Sequence, residues 1–272
     1  MVYSTIYILA WYFISLTPKS WTRSSPDATS GYLWMKENQK LGKPKILNRT
    51  QRWQKYEFER KSFLLDRIKH WPNSVVPYEI DPRFDSWEKK KIQKAIALFH
   101  SVSCVRFVPK SDERDYVKFV WSRSKCHSSL GRVGGAQSIT LSDACFYLSG
   151  YRGSVVHEVM HALGFIHEHQ RLDRDCYVNV TGYGKTSSNF IYISGTDTKF
   201  PYDYTSIMHY RQREYLTGRN GEKLGSEDGS LSYWDIKKLN YVYCGKPHFC
   251  DVRPKKCTEI EEAEKFCRVT LH

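Results

Sequence analysis

The chain has 272 residues, 40% of them apolar, enough for one domain of roughly 200 residues with a sizeable core plus flanking segments. Its net charge of +13 is spread along the sequence rather than gathered in one stretch. That reads as solubility and steering, and argues against a nucleic-acid groove.

Residues 1–19 read as a signal peptide. The stretch 6–16 is almost wholly apolar and Pro18-Lys19 ends it; it is too short to span a bilayer, which takes about 20 residues, and suits the apolar core of a secretion signal. No later stretch qualifies as a stable membrane span. Residues 20–62 are polar, basic and poor in Val and Ile, as expected of a pro-segment or linker. Order is expected from Trp71-Pro72-Asn73-Ser74-Val75-Val76-Pro77-Tyr78-Glu79-Ile80, a strand-like stretch punctuated by proline, as at a sheet edge. Asp85-Ser86-Trp87-Glu88 carries a helix-start signal, with Glu three residues after Asp. Ile92, Ala95, Ile96 and Phe99 follow at helical spacing and predict a buried stripe, with Lys89, Lys90, Lys91 and Lys94 mostly on the wet side.

Three short strands are expected next, over 105–108, 116–120 and 138–141, with Gly131, Gly134 and Gly135 before the third. A strongly apolar helix over 154–163 comes after them. Beyond residue 175 the sequence is loop-rich, with many Tyr, Gly and Ser, until a last helix over 232–241 that opens on Ser232-Tyr233-Trp234-Asp235, a capping box with Asp in place of Glu. The fold class is α+β: a small mixed sheet with a helix before it and one after it, in one domain over 63–245, then a short cysteine-containing tail over 246–272.

The eight cysteines are Cys104, Cys126, Cys145, Cys176, Cys244, Cys250, Cys257 and Cys267. The count is even and none lies in a Cys-x-x-Cys pair, which argues for disulfides in an oxidising, extracellular compartment and against a cysteine metal site. Spacing alone does not give their connectivity. Asn48-Arg49-Thr50 and Asn179-Val180-Thr181 are glycan acceptor sequences.

The chemistry concentrates in His157-Glu158-Val159-Met160-His161-Ala162-Leu163-Gly164-Phe165-Ile166-His167. Four residues apart on a helix, His157 and His161 share one face, one turn apart, and two imidazoles there reach one ion at about 2.0–2.1 Å. Glu158 lies about 100° further round, able to approach the open side of the ion without ligating it. Gly164 takes a positive φ at no steric cost, so it ends the helix and turns the chain back to bring in His167 as a third nitrogen. Chance would place these five residues at this spacing in roughly one chain in 10⁵.

This pattern resembles the extended zinc signature of the metzincins, which a Met-turn accompanies. Ser206-Ile207-Met208-His209-Tyr210 supplies one, with Met208 as an apolar floor. The continuation Glu168-His169-Gln170-Arg171-Leu172-Asp173-Arg174-Asp175, together with Cys104-Val105-Arg106-Phe107-Val108-Pro109 and Gly131-Arg132-Val133-Gly134-Gly135-Ala136-Gln137, is similar to the astacin family of zinc metalloproteases over about residues 70–245.

The resemblance implies a zincin-like, two-lobed catalytic domain with a small mixed sheet, an active-site helix and a Met-turn. It implies one Zn²⁺ per chain on His157, His161 and His167, with Glu158 as general base. Tyr210 would be a further ligand that swings away and donates to the oxyanion. Gly164, Met208 and Glu168 would be structural supports, Glu168 pairing through water with the matured amino terminus. Cys104–Cys244 and Cys126–Cys145 would be disulfides, and residues 126–130 the edge strand that takes protein or peptide substrates by backbone pairing. Pro-segments of this family carry Phe-x-Gly-Asp, and none occurs before residue 70. Of the remaining cysteines, one arrangement joins Cys176 to a tail cysteine and leaves two to pair together. The rival reading, a catalytically silent extracellular binding or matrix protein on the same scaffold, is disfavoured by the presence of Glu158.

Overall fold

The computed structural model describes residues 61–64, 69–147, 154–194, 196–197 and 199–270. The expected signal peptide, and residues 20–60 of the expected pro-segment, lie outside them. Strand β1 (Lys61–Leu64) straddles the expected domain start at residue 63. Strand β2 (Val75–Ile80) leads into helix α1 (Ser86–Val102), and strands β3 (Arg106–Pro109), β4 (Tyr116–Trp121), β5 (His127–Ser128) and β6 (Ala136–Leu141) follow. Helices α2 (Asp143–Tyr147) and α3 (Val155–Ala162) complete the first half. The second half holds β7 (Val178–Val180), α4 (Tyr183–Thr186), β8 (Thr196–Asp197), β9 (Leu216–Gly218) and α5 (Tyr233–Cys244), before the tail helices α6 (Phe249–Val252) and α7 (Pro254–Thr270).

The main sheet has the order β3-β2-β4-β6-β5. Its first four strands are parallel and β5 is antiparallel on the edge, pairing His127 with Thr140 and Ser128 with Ile139. The proline-punctuated strand β2 is therefore interior, where an edge was expected. Two features admit Pro77. Tyr78 O accepts Lys110 N on the β3 side while Asp81 N donates to Phe119 O on the β4 side, so alternation aims the missing donor of Pro77 at β4. The ladder with β4 begins only at Tyr78, so Pro77 removes no bond from it.

Helix α1 starts as its sequence requires: Asp85 accepts from Glu88 N and the Glu88 side chain accepts from Asp85 N. Its stripe of Ile92, Ala95, Ile96 and Phe99 is buried, while Lys90, Lys91 and Lys94 are exposed. That stripe packs in one core with Val76, Val117, Phe119, Ile139 and Leu141 from the sheet and Val159, Met160 and Ala162 from α3. The sheet thereby fixes α3, which carries the first half of the histidine motif. Fully burying a side chain of this size contributes about 1.5–3 kcal/mol.

The second half is built differently. A smaller apolar cluster joins Val178, Phe190, Tyr202, Tyr210, Leu216 and Leu224 around the β7–β9 pair. Four disulfides, Cys104–Cys244, Cys126–Cys145, Cys176–Cys267 and Cys250–Cys257, join the chain. The first spans a sequence separation of 140, ties the end of α1 to α5, and in the chain-entropy account contributes about 4–5 kcal/mol. The tail is helical: α7 is clamped to the second half by Cys176–Cys267 and by Tyr177, whose hydroxyl donates to Glu264 Oε1 at 3.2 Å. Among the described residues, no helix is long and apolar enough to cross a membrane.

Candidate metal centre

Helix α3 is capped by Ser154, whose hydroxyl accepts from His157 N. Its other end stops because Leu163 is followed by Gly164 at φ +97°. A Cβ there would meet nothing closer than 3.9 Å, so the backbone angle, not crowding, calls for glycine. The turn lets the chain double back, and the three rings converge. His161 Nε2 lies 3.2 Å from His167 Nε2, which lies 3.3 Å from His157 Nε2. Among the described residues these three form a group able to hold a metal.

The spacing discriminates between readings. Nitrogens at zinc distance on a tetrahedron stand about 3.3–3.4 Å apart. Each outer ring nitrogen already has an acceptor: Nδ1 of His157 donates to Ile207 O at 2.8 Å, that of His161 to Phe165 O at 2.8 Å, and that of His167 to Gln170 Oε1 at 2.9 Å. Those bonds put the proton on Nδ1 and turn three Nε2 lone pairs toward one point, where they repel unless a cation lies between them. Burial and the neighbouring rings hold His161 and His167 well below the usual histidine range, so both are neutral, the form that binds metal. The residues fit one zinc ion.

Glu158 supports the same conclusion. It is 2% exposed and its Oε2 has no hydrogen-bond partner. Burial pushes its carboxyl up to about 8. A nearby divalent cation favours the ionised form of such a group, which otherwise sits at a cost in an apolar pocket.

The Met-turn lies beneath. Met208 is buried, and Ile207 gives its carbonyl to His157. The turn is held by a residue whose sequence signal was only that of a helix cap: Asp235 accepts from Ser206 Oγ at 2.6 Å, from Ile207 N at 2.9 Å and from Ser232 N at 3.0 Å. Burial and the nearby Asp203 push its carboxyl up to about 6. Tyr210 is buried with its ring centroid 4.5 Å from that of His167 and 4.1 Å from that of His169.

Glu168 is 2% exposed, and its partners come from inside the chain. Its carboxylate accepts from Lys238 Nζ at 2.9 and 2.8 Å, from Arg171 Nη1 at 2.8 Å and from Asp203 N at 3.0 Å. Burial alone would raise Glu168; Lys238 and Arg171 outweigh it and hold the carboxyl below its usual range. Sequence reasoning did not single out Gln170, Arg171, Asp235 or Lys238 as supports. Gln170, three residues after His167, was within reach of a spacing argument; Lys238 and Glu168, separated by 70 positions, were not.

Strand β5 runs along the sheet edge beside α3. It is tied there by Gly131, whose N–H donates to His161 O at 2.8 Å. At Gly131 a Cβ would come within 2.7 Å of Lys69 O, so only glycine fits. Cys126–Cys145 pins the start of this edge.

Comparison with known proteins gives a consistent set. The family model of the Astacin peptidases matches residues 63–244. The chain is 30% identical over 210 residues to Zinc metalloproteinase nas-8 of Steinernema carpocapsae, covering 71% of this chain and 49% of that protein. It is 34% identical over 206 residues to the Astacin-like metalloendopeptidase of Gallus gallus, covering 64% and 46%. The solved structure of High choriolytic enzyme 1, a hatching enzyme zinc-protease from Oryzias latipes, aligns with TM-score 0.56 at 33% identity, covering 66% of this chain and 96% of that one. The chain spans about half the length of the first two relatives.

Proposed function

The chain belongs to the astacin family of peptidases, and from that premise we propose that it is a secreted zinc-dependent endopeptidase acting on extracellular proteins. One observation carries the reading. Three Nε2 atoms converge at the separations zinc requires, every outer nitrogen is engaged, and a buried carboxyl stands beside them.

His157, His161 and His167 would hold the ion, which when bound supplies Lewis-acid polarisation of the scissile carbonyl and acidifies water. Glu158 takes the proton of the attacking water and delivers it to the leaving amine nitrogen, a role open to its buried Oε2, which no hydrogen bond within the chain engages. Tyr210, its ring tilted against that of His167, donates its hydroxyl to the developing oxyanion; a single such donor is typically worth about 10²–10³ in rate. Substrate adds as a further antiparallel strand along β5, an edge strand of the main sheet among the described residues, so that affinity comes from main-chain bonds. Four disulfides support an oxidising compartment.

The test is gelatin hydrolysis by purified protein with and without a zinc chelator, alongside metal analysis. Glu158→Gln should keep one zinc per chain and lower turnover by about 10²–10⁴-fold. A variant that cleaves at the wild-type rate would remove Glu158 from the mechanism.

A further inference from the structure

The loop that brings in His167 is anchored by the next residue, Glu168, and the anchor has two arms. Glu168 N donates to Met208 O at 3.0 Å, joining the third ligand to the Met-turn. The Glu168 carboxylate holds the ammonium of Lys238, which is 2% exposed and rises from α5. Helix α5 also carries Asp235, which grips the same Met-turn from below. One helix therefore supports both sides of the metal centre.

Charge makes Lys238 hard to replace. Glu168, Asp173, Asp203 and Asp235 are all at most 3% exposed, and the cations buried among them are Arg171 and Lys238. Arg171 is committed in large part to Asp173, through Nε at 2.8 Å and Nη2 at 2.5 Å, and spares one nitrogen for Glu168. Lys238 instead contacts both oxygens of Glu168. A buried charge left without its partner is strongly destabilising, so the carboxylate would shift and carry the His167 loop with it.

We infer that Lys238 is a positioning residue of the metal centre: its ammonium, supplied by helix α5, fixes Glu168 and through it His167. Lys238 touches neither substrate nor reacting atoms. This inference rests on the zinc reading of the three histidines.

The test measures zinc release from the full secreted chain into a chromogenic chelator, with the melting temperature of the metal-free form followed in parallel. Four proteins form a cycle: wild type, Lys238→Met, Glu168→Gln, and the double variant. Lys238→Gln, which keeps a donor but drops the charge, replaces Lys238→Met if that variant does not fold. Supports of metal ligands are typically worth 10–100-fold in metal affinity. Zinc release should therefore speed up about 10-fold or more when Lys238 is changed alone, and by less than about threefold when it is changed in the Glu168→Gln background. A role confined to stability would lower the melting temperature and leave release unchanged. Unchanged release from the single variant, or an equal acceleration in both backgrounds, overturns the inference while leaving the metal site standing. A wild-type chain that holds no zinc overturns the metal reading and this inference together.

Discussion

The two halves of the domain reach order by different means, and the metal centre lies where they meet. Through α3, the structure is a sheet and three helices around an apolar core in which Val76, Ile92, Phe99, Val117, Phe119, Ile139 and Leu141 are fully buried. After His167, regular structure is sparse. A small aromatic cluster and a network of buried charges take over, with Arg171 wholly buried between Glu168 and Asp173. The first half brings His157, Glu158 and His161 on a rigid helix. The second brings His167, Met208 and Tyr210 on loops: Ile207 and Met208 reach back into the main apolar core, and polar contacts from Asp235 and Glu168 hold the backbone around them. Precision at the site therefore rests on apolar packing on one side and, on the other, on packing joined to charge satisfaction.

That contrast predicts losses of similar size with different remedies. Phe119→Ala removes a wholly buried ring and should cost about 3–5 kcal/mol in urea unfolding. Only refilling the cavity restores it. Arg171→Met should cost a comparable amount, about 3–5 kcal/mol, because it leaves the buried Asp173 carboxylate unpaired and strips Glu168 of one of its two cations. Adding Asp173→Asn to Arg171→Met should recover part of that loss, since the unpaired charge, not missing volume, does the damage. If the second substitution deepens the loss, the second half is held by packing after all.

The same division explains what was legible in the sequence. In the first half, local signals coincide with the tertiary outcome. The stripe of Ile92, Ala95, Ile96 and Phe99 faces the core, Asp85 and Glu88 form their cap, and the spacing from His157 to His167 brings three rings together because a helix and one glycine turn are enough to do so. Proline at position 77 misled, since its effect depends on where the neighbouring ladder begins and not on the residue alone. In the second half the decisive contacts are long-range and polar. Asp235 was legible as the partner of Ser232, three residues away, but not as the clamp on Ile207, separated by 28 positions. The tail is rich in Glu and Lys and low in apolar periodicity, so its helix α7 gave no sign of the contact that Glu264 makes with Tyr177.

A smaller effect sharpens the boundary between the halves. Asp235 lies under the Met-turn, accepting three hydrogen bonds. Asp235→Asn keeps the shape but turns one acceptor into a donor facing other donors, at a cost of about 1–3 kcal/mol. Because the loss falls at the turn whose Ile207 carbonyl orients His157, amide exchange should quicken around residues 206–209 while the sheet strands stay protected. Uniform deprotection would show that the two halves unfold as one unit.

The smallest effect comes from an acid–base pair of the first half that differs from Arg171 chiefly in exposure. Asp81 accepts from Arg83 N at 3.0 Å and from its guanidinium, and Arg83, the principal cause, holds the Asp81 carboxyl down at about 2. Since the folded value is depressed below the ordinary 3.8, the contribution of this pair is complete above that pH and is lost as pH falls toward 2. The Arg83 side chain is 59% exposed, so water and salt screen the attraction to a small fraction of what burial gives Arg171. Arg83→Ala should leave the urea midpoint almost unchanged when measured near pH 3 in high salt, and lower it slightly at neutral pH in low salt. Its shift there should be well below that of Arg171→Met. A shift as large as that of Arg171→Met would mean that exposure does not separate the two pairs, and that charge supports the sheet as much as it supports the loops around His167.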